Sequence, residues 1–131
     1  MFAERLTAGR IERLARELDR ARKDRSPDAV HDLRVAARRL LSTIDSFRAI
    51  LQFARLRRLR KRIKSVLAAG RSVRDRDIAL ELAADAGLDH ESPLVRTIDR
   101  QREEAAEALS HHIRRKRFRK FASKWARGLA R

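Results

Sequence analysis

Apolar residues recur at spacings of three and four along nearly the whole chain, and no segment alternates with a period of two. This periodicity predicts helices over about 2–23, 27–51, 54–69, 73–86, 93–112 and 116–130. Ser26-Pro27 and Ser92-Pro93 fit helix starts, because serine caps a first turn and proline suits its first position. Gly70 and Gly87 fit helix ends. The pattern predicts an all-α, antiparallel bundle of about five to six helices.

The apolar stripe of each predicted helix identifies its core face. The residues expected to point inward are Leu6, Ile11, Leu14, Ala15 and Leu18; Val30, Leu33, Ala37, Leu40, Ile44 and Leu51; Leu56, Leu59, Ile63, Val66 and Leu67; Val73, Ile78 and Leu82; and Phe118, Phe121, Trp125 and Leu129. A chain of 131 residues is long enough to bury roughly two-thirds of its unfolded surface. We therefore expect one domain over residues 1–131.

The charge of the chain is strongly positive. There are 34 lysines and arginines against 18 aspartates and glutamates, for a formal net charge of +16. Most of the cations are arginines, whose planar guanidinium matches phosphate oxygens better than a lysine does. Positive charge at this density repels itself in a compact fold, and a polyanionic partner would relieve it. The alternative is an arginine-rich protein from a GC-rich genome with no such partner.

Several classes of protein are disfavoured by composition. The chain has no cysteine, which excludes disulfides and thiolate metal sites. No apolar run approaches the roughly 18 residues of a membrane span, and the first helix carries glutamates that a transit peptide lacks. We expect a cytoplasmic bacterial protein that requires no cofactor and no metal.

Two basic stripes are the candidate binding residues. His31, Arg34 and Arg38 lie on one line of the second predicted helix, since residues three, four and seven apart share a face. The second stripe is Arg57, Lys61 and Lys64 on the third helix. Like charges at such spacings repel within a helix, so a bound anion explains this row better than isolation does. Further candidate contacts are Arg74, Arg117 and Lys120. The competing interpretation is a solvated basic surface.

The remaining motifs indicate structure rather than catalysis. Asp75 and Asp77 lie near the predicted start of the fourth helix, where the macrodipole favours carboxylates. Because Arg39 points to a different side of its helix, we predict that it forms a structural pair with Asp75. The chain has no nucleophile elbow, no glycine-rich phosphate loop and no metal-binding acidic set, so we expect no enzymatic activity.

The segments VHDLRVAARRL at 30–40 and SVRDRDIAL at 72–80 resemble the CHAD domain, the conserved histidine α-helical domain. The positions that match its pattern are His31, Arg34, Arg38, Arg39, Arg74, Asp75 and Asp77. RFRKFASKW at 117–125 is similar to the basic-aromatic closing helix of the family. This chain has Leu40-Leu41 where family members often have Leu-Arg. The small residue that precedes the second motif in the family is shifted in this chain, where Gly70 lies four places before Arg74.

The resemblance implies an all-helical domain of two similar bundle halves around a basic cavity that binds inorganic polyphosphate and associates with polyphosphate granules. This chain matches the first half, either as a natural half-domain or as a fragment. A half-domain is expected to rebuild the cavity as a homodimer. Two alternatives remain: a nucleic-acid-binding protein, and a regulatory subunit of an enzyme of phosphate metabolism. A membrane-surface role is disfavoured, because the apolar faces are needed for the core.

Overall fold

The computed structural model describes residues 2–51, 53–115 and Lys124. Within these residues the chain forms four helices and no strand: α1 (Phe2–Lys23), α2 (Pro27–Ser46), α3 (Phe53–Asp85) and α4 (Pro93–Arg115). The prediction of an all-α fold is confirmed. The predicted number of helices is wrong in this part of the chain, because the third and fourth predicted helices are one. Apart from Lys124, the helix predicted over 116–130 lies outside the described residues.

The start of α2 follows the predicted capping chemistry. The Ser26 side chain accepts a hydrogen bond of 3.2 Å from the Ala29 amide, and Pro27 occupies the first turn. The helix ends at Ser46, earlier than predicted, where the Phe47 amide bonds the Thr43 carbonyl at 3.0 Å. The chain then turns through residues 47–51 and buries Leu51 as predicted.

Helix α3 runs through Gly70, which was expected to end a helix. Gly70 is buried inside the 33-residue helix, and packing of that helix offsets the roughly 1 kcal/mol by which glycine disfavours a helix interior relative to alanine. Gly87 behaves as predicted. It follows the end of α3 with a φ of 80°, a conformation that glycine adopts without strain.

Successive helices pack antiparallel, and α1 also contacts α4. One ion pair between each successive pair of helices shows this arrangement: Arg20–Asp32 at 2.6 Å (α1 and α2), Arg60–Asp45 at 2.8 Å (α2 and α3) and Arg102–Asp77 at 2.9 Å (α3 and α4). The described residues therefore form an up-and-down bundle with short connections.

Most of the predicted core is buried, including every residue predicted inward on α2. Four predictions are wrong or incomplete: Leu6 and Leu67 are only partly buried, while the side chains of Ile78 and Leu82 are 38% and 63% exposed. The core stripe of α3 repeats every three or four residues from Leu56 to Asp77. Since Ile78 follows Asp77 by 100° of helical rotation, it lies on the neighbouring, exposed face.

No helix in the described part of the chain is both long enough and apolar enough to cross a membrane.

Candidate anion-binding site

An open hollow of about 480 Å³ lies between α2 and α3. Its lining residues are Arg34 and Arg38 from α2 and Leu67, Ala68, Arg71, Arg74, Asp75 and Ile78 from α3. We call it the α2–α3 hollow. Four guanidinium groups and one carboxylate line it, so the lining carries a net charge of three positive.

Antiparallel packing brings the basic residues of two helices to this hollow. Arg34 and Arg38 are one turn apart on α2 and share a face. Gly70 lies opposite Arg34 on α3. A Cβ added at Gly70 would lie 3.1 Å from Cγ and 3.2 Å from Cδ of Arg34. Glycine at this buried position therefore leaves the space through which the Arg34 side chain passes.

Arg34 is the most constrained cation of the α2–α3 hollow. Its Nε atom is buried and has no hydrogen-bond partner. The pKa of its guanidinium is lowered from the ordinary value, first by partial desolvation and next by the positive charge of Arg38. Arg74 and Arg71 lower this pKa further, whereas Asp75 opposes the shift. The protein alone does not balance the charge of Arg34, and a bound anion would do so.

Ion pairs within and beside the hollow are weak. The Asp75 carboxylate is 4.0 Å from Arg71 Nε, and Arg74 is 3.8 Å from Glu81. Asp75 and Arg71 are both more than half exposed. Exposed pairs at such separations contribute little free energy, so the guanidinium groups of Arg71 and Arg74 are available to an external anion.

The second predicted stripe extends this surface along α3. Arg57, Lys61 and Lys64 are exposed and continue, at spacings of three and four, the helical line that carries Ala68, Arg71 and Asp75. Beside this line, Arg60 holds Asp45 of α2 and is the main cause of its lowered pKa; Lys64 lowers the same pKa slightly. The stripe is therefore a continuation of the α2–α3 hollow.

His31 and Arg39 lie on the other flank of α2. Both line a separate hollow between α1 and α2, whereas Arg34 and Arg38 face α3. The structure thus divides the predicted stripe of His31, Arg34 and Arg38 between two neighbouring surfaces. Periodicity places three residues on one line, but it does not show where a packed neighbour divides that line. Arg117 and Lys120 lie outside the described residues.

The predicted pair of Arg39 and Asp75 is not formed. Arg39 lines the hollow beside α1, and the only carboxylate–guanidinium contact of Asp75 in the described structure is with Arg71. Asp77 instead holds an arginine of another helix, since its Oδ1 accepts a 2.9 Å bond from Arg102 Nε. Neither aspartate is near a helix N-terminus, because both lie well inside α3.

Arg71 is not among the predicted binding residues, because it falls between the helices predicted over 54–69 and 73–86. A signal was present, because the core spacing of Ile63, Val66, Gly70, Val73 and Asp77 continues without interruption through the supposed link. Following that spacing makes 70–77 helical and places Arg71 one turn from Arg74 and Asp75.

The α2–α3 hollow presents positive charge and hydrogen-bond donors to a ligand. Within residues 2–51, 53–115 and 124, no three His, Cys, Asp or Glu side chains are grouped to hold a metal ion. Guanidinium groups on fixed helices can donate several hydrogen bonds to one multiply charged oxyanion.

The family model of the CHAD domain matches residues 5–131, nearly the full length. Comparison with curated proteins and with solved structures gives no match. Of the two segments similar to this family, residues 30–40 lie on α2 and supply Arg34 and Arg38 to the α2–α3 hollow. Residues 72–80 lie on α3 and supply Arg74 and Asp75. The chain therefore belongs to the CHAD domain family.

Proposed function

We propose that this protein binds inorganic polyphosphate in the α2–α3 hollow without breaking a phosphoanhydride bond. One observation carries the proposal: Arg34 is partly buried among three other arginines, with its Nε lacking any partner. A fold holds like charges together in this way at a free-energy cost, which a bound anion offsets.

The shape of the basic surface favours a chain of phosphates over a single phosphate. From the hollow, the row of Lys64, Lys61 and Arg57 continues along α3 toward its first turns. A polymer with a negative charge on every repeating unit can contact the hollow and this row together. Each contact releases a counterion, so the affinity is expected to fall steeply as salt rises.

Nucleic acid is the competing polyanion, and the lining of the hollow disfavours it. Proteins that bind single strands stack bases on aromatic side chains, but no described residue that lines the hollow is aromatic. The rings of Phe2 and Phe47 instead contact each other edge to face, with centroids 6.4 Å apart. This lining favours a phosphate chain over nucleic acid as the ligand of the α2–α3 hollow.

The proposal includes a homodimer in which two such hollows face a shared groove, and recruitment to polyphosphate granules. Ile78 lines the hollow and Leu82 follows it by one turn; both are exposed. These apolar side chains give a second copy a surface to bury next to the basic residues. Light scattering should give twice the chain mass at micromolar concentration, whereas a stable monomer would contradict the dimer.

Titration with long-chain polyphosphate tests the binding proposal, with DNA at equal phosphate concentration and physiological salt as the competitor. Polyphosphate should bind more tightly than either duplex or single-stranded DNA. The double variant Arg38→Ala, Arg71→Ala should lose at least about tenfold in affinity, because two charge-assisted contacts disappear.

The matched control is Arg16→Ala, Arg100→Ala. It removes the same charge from two exposed arginines that make no ion pair within the described residues. Equal losses in both double variants would show that net charge, rather than the hollow, determines the affinity. Tighter binding of DNA would favour the nucleic-acid alternative, and release of phosphate with added Mg²⁺ would favour an enzyme.

A further inference from the structure

A second basic hollow lies on the opposite flank of α2, between α1 and α2, with a volume of about 610 Å³. We call it the α1–α2 hollow. Its lining residues are Arg5, Leu6, Gly9, Arg10, Arg13, His31, Asp32, Val35, Ala36 and Arg39. Four arginines and a histidine surround a single carboxylate, whereas an ordinary protein surface carries positive and negative side chains in more equal number.

The one carboxylate of the α1–α2 hollow is already engaged. Asp32 accepts a 2.6 Å hydrogen bond from Arg20, which lies outside the hollow. Arg13 is likewise paired, at 3.0 Å from Glu17. The charges of this hollow that could attract an anion are therefore those of the other three arginines.

Those three arginines have no anionic partner in the described part of the protein; they are Arg5, Arg10 and Arg39. Arg5 and Arg39 are exposed, so they can reach a ligand without reorganising the core. Arg10 is partly buried, and its Nε has no hydrogen-bond partner. This atom repeats, on the α1 side of α2, the situation of Arg34 Nε on the α3 side.

An exposed ridge of α2 separates the two hollows. His31 and Arg38 are seven residues apart and nearly aligned along the helix, and both are exposed. His31 lines the α1–α2 hollow and Arg38 lines the α2–α3 hollow. Since a helix is about 10 Å across, a flexible anionic chain needs only a short free segment to pass over this ridge.

We propose that the α1–α2 hollow is a second phosphate-binding site, and that one long polyphosphate chain crosses α2 at His31 and Arg38 to occupy both hollows. This inference rests on the proposed function. Two linked sites on one ligand raise its affinity above that of either site alone. Long chains are therefore favoured over short ones by more than their number of charges.

Calorimetric titration of the full chain with tripolyphosphate and with long-chain polyphosphate tests the inference. The variant Arg5→Ala, Arg39→Ala removes two guanidinium groups from the α1–α2 hollow, and Arg16→Ala, Arg100→Ala is the control with equal charge. The wild type and the control should bind two tripolyphosphates per chain, and the variant one. For long-chain polyphosphate, the variant should bind at least about tenfold more weakly than the control.

The outcomes separate this inference from the proposed function. If Arg5→Ala, Arg39→Ala binds two tripolyphosphates and retains the long-chain affinity of the control, the second site is wrong while polyphosphate binding stands. If the wild type binds neither ligand, both proposals fail. If Arg5→Ala, Arg39→Ala binds long-chain polyphosphate more weakly than the control but Arg38→Ala, Arg71→Ala does not, the proposal that one chain crosses α2 is overturned. Should the alanine variant unfold, Arg5→Gln, Arg39→Gln keeps most of each side chain and gives the same tests.

Discussion

Gly70 and Arg34 pack so closely that a Cβ on the glycine would lie 3.1 Å from the arginine Cγ. Alanine would suit the helix better by about 1 kcal/mol, yet it would occupy the space that Arg34 uses. The glycine thus gives up local stability in α3, and the arginine gains its place in the basic hollow.

Substitution Gly70→Ala should weaken polyphosphate binding severalfold without lowering the thermal midpoint. The added methyl group pushes the Arg34 side chain from its place, while the helix gains intrinsic propensity. Titration and thermal unfolding measure the two effects. Gly9→Ala is the stability control, because nothing lies within 4 Å of its added Cβ; it should stabilise the protein more than Gly70→Ala does. Unchanged affinity in Gly70→Ala would show that Arg34 does not need this space.

Replacing Arg34 with methionine should stabilise the protein in the absence of a ligand and reduce the further stabilisation that bound polyphosphate provides. The charged guanidinium is disfavoured by desolvation and then by Arg38, whereas methionine keeps an unbranched side chain beside Gly70. We expect a gain of about 1 kcal/mol, typical when a charged binding residue is removed. Urea unfolding with and without polyphosphate measures both parts. A loss of stability in the ligand-free variant would mean that Arg34 serves mainly to hold the fold.

Asp75→Asn should increase the affinity for polyphosphate at low salt by severalfold. It removes the only carboxylate that lines the α2–α3 hollow in the described structure, and with it a repulsive charge near the bound phosphates. Its ion pair with Arg71 is long and exposed, so the free energy of unfolding should change by less than about 0.5 kcal/mol. Titration at two salt concentrations is the measurement. Weaker binding would show that Asp75 instead holds Arg71 in its binding position.

Asp77→Ala should destabilise the protein strongly, by about 3–5 kcal/mol, because it removes the only buried carboxylate that pairs with the Arg102 guanidinium in the described structure. Arg102 is nearly buried, bonds Asp77 at 2.9 Å and donates to the Arg25 carbonyl. It thereby ties α3 and α4 to the link between α1 and α2. Urea unfolding gives the difference, with Asp75→Asn as the matched control two residues away. A small effect would show that Arg102 finds water or another acceptor.

The helices were predictable where local chemistry and packing agree. Ser26 and Pro27 define the start of α2 through a capped first turn, and Gly87 ends the connection after α3 through its positive φ. Gly70 misled the prediction because its preference for helix ends is a local property, while its position is determined by contact with Arg34 on another helix. Only the unbroken core spacing from Leu56 to Asp77 carried that information.

The binding surface was predictable only in part for a related reason. The α-helical period puts Arg34 and Arg38 on one face, and the structure brings them together. The period does not reveal which neighbour covers each flank of a helix that has arginines on both sides. His31 and Arg39 were therefore placed with the wrong surface and the wrong partner, since α1 rather than α3 packs against that flank.

Acid should weaken the contact between α2 and α3 through Asp45. The hydrogen bond from Arg60 is the main cause that lowers the Asp45 pKa, and desolvation only partly opposes it. An aspartate with a lowered folded-state pKa stabilises the fold above its unfolded pKa of about 4, and this contribution is lost as pH falls through the lower value. The wild type should thus be more stable than Asp45→Asn at about pH 6, and the difference should shrink toward about pH 2.5. Urea unfolding at a series of pH values measures this difference in stability.

Asp99→Asn is the control, since Asp99 is exposed and no charged partner contacts it in the described structure. The stability of this variant should follow that of the wild type at every pH. A difference between the wild type and Asp45→Asn that stays constant across this range would show that the carboxylate charge of Asp45 does not stabilise the packing of α2 on α3.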